Sequence, residues 1–134
     1  MNGHDVINFP VGTSQTVLVV DDDPAQRHEI VTCLGDLGIR TAQAEDGATA
    51  VEMVRTLRPA VVIMDIRMPR LNGIDAVQVI GRHAGTKIIL VTGDPDSLYK
   101  ANTSKLDVFA VIEKPIPLRS LSRFVLKALG RETP

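Results

Sequence analysis

The sequence predicts an α/β fold, a doubly wound sheet of five parallel strands with five helices covering both faces. Two observations carry that reading. Short, continuous apolar runs rich in β-branched residues recur along the chain, as strands buried on both sides require. Between them the apolar spacing takes a helical period, and right-handed β-α-β crossovers with short connections place helices on both faces.

The elements follow in order. Residues 1–15, MNGHDVINFPVGTSQ, mix Gly, Asn, Pro and Ser without apolar periodicity and read as a loose N-terminal arm. Thr16 to Val20 (TVLVV) is the first strand and stops at three aspartates, Asp21 to Asp23. The first helix has Asp23 as N-cap, Pro24 at its first position, Ile30, Val31, Leu34 and Leu37 on one face, and Gly38 at its exit. Ile39 to Ala44 alternates more weakly, as an edge strand does. Ala50, Val51, Val54 and Leu57 mark a second helix after Gly47, closed by Pro59. Ala60 to Met64 (AVVIM) is a strand ending at Asp65, and Ile74, Val77 and Ile80 mark a third helix. Lys87 to Val91 (KIILV) ends at Thr92, Asp96 to Ser104 reads as a polar helix, and Val108 to Ile112 is the last strand. A helix from Leu118 to Leu129 closes a domain spanning 16–130 and leaves 131–134 as a tail.

With 134 residues, 44% of them hydrophobic, the chain fits one domain with one core. A formal net charge of -1 gives no general attraction to nucleic acid or anionic membrane, so direct DNA binding is not expected. No apolar run approaches the ~20 residues that span a bilayer, and the N-terminus lacks the order of a signal peptide. The single cysteine, Cys33, forms no internal disulfide and reads as a buried, inert thiol. A cytoplasmic protein is the resulting expectation. His4, His28 and His83 show no metal-ligand spacing with one another or with Cys33.

In open parallel sheets ligands bind beyond the carboxyl ends of the strands, near the point where strand order reverses. Those ends carry Asp21 and Asp22 after the first strand, Asp65 after the third, Thr92 after the fourth and Lys114 after the fifth. Three carboxylates brought together repel one another, which makes sense with a cation between them. Mg²⁺ fits, since it takes oxygen ligands, keeps several waters and is commonly held by one or two carboxylates plus a phosphate oxygen. The Lys114 ammonium and the Thr92 hydroxyl suit the oxygens of a transferring phosphoryl group, which leaves Asp65 as nucleophile for an acyl phosphate. Each residue alone has a plainer reading. The aspartates would cap the first helix, worth ~0.3–1 kcal/mol; Lys114 would be a solvated lysine and Thr92 a turn hydroxyl. Their joint placement at strand ends favours the site.

Four segments resemble the response regulator receiver family of two-component systems: VLVVDDDP at 17–24, MDIRMPRLNG at 64–73, LVTG at 90–93 and EKP at 113–115. The resemblance covers about residues 16–130 and implies the flavodoxin-like strand order 2-1-3-4-5. It makes Asp65 the phosphoacceptor, Asp22 a direct Mg²⁺ ligand, Asp21 a ligand through water, and the Arg67 carbonyl a further ligand. It also implies that Thr92 moves toward the phosphoryl group, that Lys114 pairs with it, and that the Lys114–Pro115 bond is cis. Arg67 and Asp94 fall where relatives tune loss of the phosphoryl group, and Gly93 leaves room for a donor or phosphatase.

Two positions depart from the family pattern. Val111 stands where an aromatic usually turns inward with the threonine, and Ile116 follows Pro115 where phenylalanine is customary. Phe109 lies two residues before Val111 and would share its face in a regular strand.

The implied function is a signalling switch, not primarily a turnover enzyme, that takes phosphate from a histidine kinase or phosphotransfer protein. Its output would be a changed surface near Val108–Leu129 presented to a protein partner. Arg119, Arg123 and Lys127 form a basic row there, which is also what a plain solvated face looks like. An adaptor of the same fold that signals without phosphorylation is the alternative. A flavin-phosphate binder is disfavoured because Asp21 to Asp23 would repel the anion. An aspartyl phosphatase is disfavoured because Arg67 stands where a second acid would be needed.

Overall fold

The computed structural model describes residues 14–81 and 85–131. Ten elements alternate: β1 (Ser14–Val20), α1 (Pro24–Asp36), β2 (Thr41–Ala44), α2 (Gly47–Leu57), β3 (Pro59–Asp65), α3 (Gly73–Ile80), β4 (Lys87–Thr92), α4 (Pro95–Thr103), β5 (Ala110–Glu113) and α5 (Leu118–Ala128). All strand pairs are parallel, in the order β2-β1-β3-β4-β5. β1 begins at Ser14, inside the stretch read as an arm, and its pairing with β3 shifts register between Ser14 and Val17. The remainder of that arm, residues 132–134 of the tail, and His4 and His83 lie outside the described residues.

Alternation along the central strands sorts the core into two layers. Val17, Val19, Val61, Ile63, Ile89 and Val91 face α1 and α5, against Ile30, Leu34, Leu121 and Val125. Leu18, Val20, Val62, Met64, Ile88 and Leu90 face the other side, against Val54 of α2, Ile74, Val77 and Ile80 of α3 and Ala101 of α4. A strand apolar at every position is the sequence signature of this double burial. Cys33 is half-buried at the α1–α5 contact, its Sγ 3.2 Å from Ser122 Oγ.

Side-chain caps fix where α1 to α4 start, and α5 begins after Pro117 without one. Asp23 accepts from the N–H groups of Ala25 and Gln26, Asp46 from Thr49, Asn72 from Asp75 and Asp94 from Ser97. The Asn72 bond is 2.9 Å. Asn72→Ala is expected to lower stability by about 1 kcal/mol, read as a lower urea midpoint at unchanged slope.

One expectation fails on β5. Val111 packs on the layer of α2, α3 and α4, but Phe109 packs on the opposite layer, as do Ala110 and Ile112. The Phe109 N–H already bonds the Ile88 carbonyl at 2.7 Å, but the backbone bends at Phe109 and the strand begins at Ala110, so the two-residue alternation that would put Phe109 beside Val111 does not reach it. Phe109 instead lies under Lys87, whose Nζ is 5.5 Å from the ring centre. Ile116 joins the α1–α5 layer.

Candidate functional site

Register alone brings the strand ends together. Val20 pairs with Met64, Asp65 with Val91, and Thr92 with Glu113. The next residues, Asp21, Thr92 and Lys114, are therefore laid around Asp65 by the sheet itself. β1 and β3, the neighbours where strand order reverses, contribute all the acids.

One carboxylate oxygen from each of Asp21, Asp22 and Asp65 lies within 4.8 Å of the others. Asp21 is 3% exposed, Asp65 is half-buried and Asp22 is open to solvent. Lys114 Nζ donates to Asp65 Oδ2 at 2.8 Å and lies 3.5 Å from Asp21 Oδ2. It also donates to Gln26 Oε1 at 2.6 Å. The Lys114–Pro115 peptide bond is cis.

The charges in this pocket are not balanced. Burial raises the Asp21 carboxyl above the usual aspartate value; the Asp23 N–H, bonded at 2.9 Å, and the Lys114 charge pull it back without cancelling the rise, and Asp65 and Asp22 add to it. For Lys114, burial is the largest single influence and acts downward, but the Asp65 hydrogen bond and charge, together with Asp21, outweigh it and raise the ammonium above its ordinary value. Of the three carboxylates, Asp65 and Asp21 share one close ammonium and Asp22 faces solvent. An all-oxygen acidic set of this kind has the chemistry to hold a hard divalent cation.

The rim is formed by loops. Arg67 N–H donates to Asp65 Oδ1 at 3.2 Å, and its guanidinium reaches Asp94 across the opening at 3.8 Å, an exposed pair of small energetic weight. The Ser97 hydroxyl, followed by its N–H, holds the Asp94 carboxyl below the ordinary aspartate value. Thr92 is buried, and its Oγ1 accepts from the Asp94 N–H at 3.1 Å. A Cβ built on Gly93 would sit 3.5 Å from Lys114 Cβ, so the bare backbone there leaves the lysine stem uncovered. A cleft of about 440 Å³ opens beside the acids, lined by Asp22, Arg67, Met68, Asn72, Ser97 and Lys100.

The structure brings Asp21, Asp22, Asp65 and Lys114 together, sets Thr92 at the end of the neighbouring strand with its hydroxyl on the Asp94 N–H, and leaves Val111 within the sheet layer behind them. Two contributors had no signal in the sequence. Gln26 reaches Lys114 from α1, and Arg27 donates to the Asp21 carbonyl and to Gln43 Oε1, tying the first acidic loop to β2. His28 is exposed and takes no part; its ring Nε2 lies 3.5 Å from Thr32 Oγ1.

Comparison with known proteins agrees with this fold. The chain is 38% identical over 84 residues to the DNA-binding response regulator MtrA of Mycolicibacterium smegmatis, covering 63% of this chain and 37% of that protein. It is 32% identical over 114 residues to the regulatory protein AtoC of Escherichia coli, covering 84% of this chain and 25% of that protein. The chain thus spans well under half the length of these relatives. Among solved structures, the receiver domain of the sensor histidine kinase PA1611 from Pseudomonas aeruginosa superposes with a TM-score of 0.77 at 26% identity. It covers 88% of this chain and 99% of that one, and has a magnesium ion coordinated in its active-site cleft. Residues 17–126 match the response regulator receiver domain, and the chain belongs to that family, a signalling domain of two-component systems.

Proposed function

We propose that the chain is a phosphorylation-dependent switch in which Asp65 accepts a phosphoryl group from a histidine kinase or phosphotransfer protein. The observation that carries this reading is the Lys114 ammonium 2.8 Å from Asp65 Oδ2, beside a cluster of three carboxylates. In this reading Asp22 and Asp65 hold Mg²⁺ directly, Asp21 does so through water, and the Arg67 carbonyl completes the protein ligands. When bound, Mg²⁺ supplies positive charge next to the phosphoryl oxygens.

The remaining chemistry belongs to side chains. An Asp65 oxygen bonds to phosphorus as the donor's P–N bond breaks and the histidine nitrogen keeps the electron pair, Lys114 neutralises charge spreading onto the phosphoryl oxygens, and the Thr92 hydroxyl leaves the Asp94 N–H to donate to one of them. Arg67 and Asp94, already paired across the opening, control entry of the water that later cleaves the acyl phosphate, and Gly93 keeps the approach clear. The protein itself turns over no substrate beyond its own phosphorylation and dephosphorylation. A downstream protein would read the state on the Val108–Leu129 side, where Arg119, Arg123 and Lys127 are exposed on α5 around a partly exposed Phe124.

A non-phosphorylated adaptor is the second reading, favoured by the aliphatic packing of Val111. Titration with Mg²⁺ and beryllofluoride, followed by backbone amide NMR, separates the two. The switch reading expects Mg²⁺-dependent shifts at residues 65, 92–94 and 114; a spectrum that does not respond removes it.

A further inference from the structure

We propose that Gln26 is a positioning residue that holds the Lys114 ammonium in place for phosphoryl transfer at Asp65, an inference that rests on Asp65 being the phosphoacceptor. Gln26 is the third residue of α1, three after the N-cap Asp23. At that position a glutamine ordinarily folds back to the N–H of the cap residue and closes a capping box. Here that donor is occupied, because the Asp23 N–H bonds to Asp21 Oδ1 at 2.9 Å. The Gln26 side chain is left to reach across to β5, where its Oε1 accepts from Lys114 Nζ at 2.6 Å.

Lysine's charge sits at the end of a flexible four-carbon stem with three donors to place. Asp65 takes one at 2.8 Å, and Asp21 lies 3.5 Å away. Without Gln26 the ammonium is free to swing between two carboxylates. A neutral amide oxygen fixes it on the α1 side without adding a fourth negative charge where the phosphoryl group must arrive. The third aspartate of the acidic run gains a role as well. Asp23 is outside the carboxylate cluster, and its cap sets the first turn of α1, which aims Gln26.

Phosphoramidate tests this without a protein phosphoryl donor. One Asp65 oxygen bonds to phosphorus as the P–N bond breaks, and the nitrogen, already carrying three protons, keeps the electron pair and leaves as ammonia. Q26M preserves side-chain length and removes the acceptor. With Mg²⁺ present, its phosphorylation rate at saturating phosphoramidate is expected to fall roughly tenfold at unchanged half-saturation, since misplaced catalytic groups cost rate rather than binding. The Lys114 ammonium resonance in ¹⁵N-correlated spectra should broaden, with the thermal midpoint unchanged. A wild-type rate in Q26M overturns the proposal. So does a slower rate with the Lys114 resonance unaltered, or a loss confined to half-saturation. A wild-type chain that takes up no phosphoryl group overturns the Asp65 reading itself, whereas phosphorylated wild type matched by Q26M overturns the role of Gln26 alone.

Discussion

Asp65→Asn is expected to reduce phosphoryl incorporation to background, measured with phosphoramidate and Mg²⁺ on phosphate-affinity gels and checked by hydroxylamine release of the acyl phosphate. The amide has nearly the shape of the carboxylate but is no nucleophile, and no neighbouring acid can replace it. Asp21 is 3% exposed, and Asp22 does not contact Lys114 among the described ion pairs. The fold should survive, because the change removes one of three crowded negative charges while an amide oxygen remains to accept from Lys114. An unchanged thermal midpoint together with lost labelling is the expected pair of results. Hydroxylamine-sensitive label persisting in Asp65→Asn would place the acceptor elsewhere.

Gly73→Ala is expected to damage stability and site together. A Cβ there would lie 2.7 Å from the Asp65 carbonyl oxygen and 2.8 Å from Ile66 Cα, both backbone atoms with no rotamer to escape into. The Gly73 N–H also bonds the Ile66 carbonyl at 2.7 Å, so α3 starts directly against the end of β3. Relief requires moving the peptide that carries Asp65 or backing α3 out of the core, at a cost of about 1–3 kcal/mol for overpacking. The urea midpoint should fall, and the phosphoramidate rate should fall with it even where the protein is fully folded. Gly35→Ala is the matched control. Its Cβ meets nothing within 4 Å on α1, so a gain of up to about 1 kcal/mol from helix propensity is expected. A Gly73→Ala protein as stable as wild type would show that the β3–α3 junction is looser than its distances imply.

What the sequence made legible follows from which physics is local. β1, β3 and β4 announce themselves because burial on both faces removes polar residues from their central positions, and the acids then stand out where the apolar runs stop. Asp23 and Pro24 mark the start of α1 for equally local reasons, a capping oxygen and a fixed φ. The face of Phe109 was not legible, because parity counts only inside a regular strand and the strand starts one residue later. Gln26 was hidden for a different reason. Its partner is 88 residues away, and its own neighbourhood points to a capping box that the Asp21 carboxylate pre-empts. Contacts decided by competition for one N–H leave no periodic trace in a sequence.

The separation of Val111 from Phe109 has a practical consequence. The chain contains no tryptophan, its one tyrosine, Tyr99, is 72% exposed on α4, and Phe109 faces the layer away from Val111. Behind Thr92 the core on that layer is aliphatic: Leu106, Val108 and Val111 pack against the cluster that includes Leu90 and Ala101. A rearrangement of that region on phosphorylation would be nearly silent in intrinsic fluorescence. Methyl resonances of Leu106, Val108 and Val111 are the probes placed to record it.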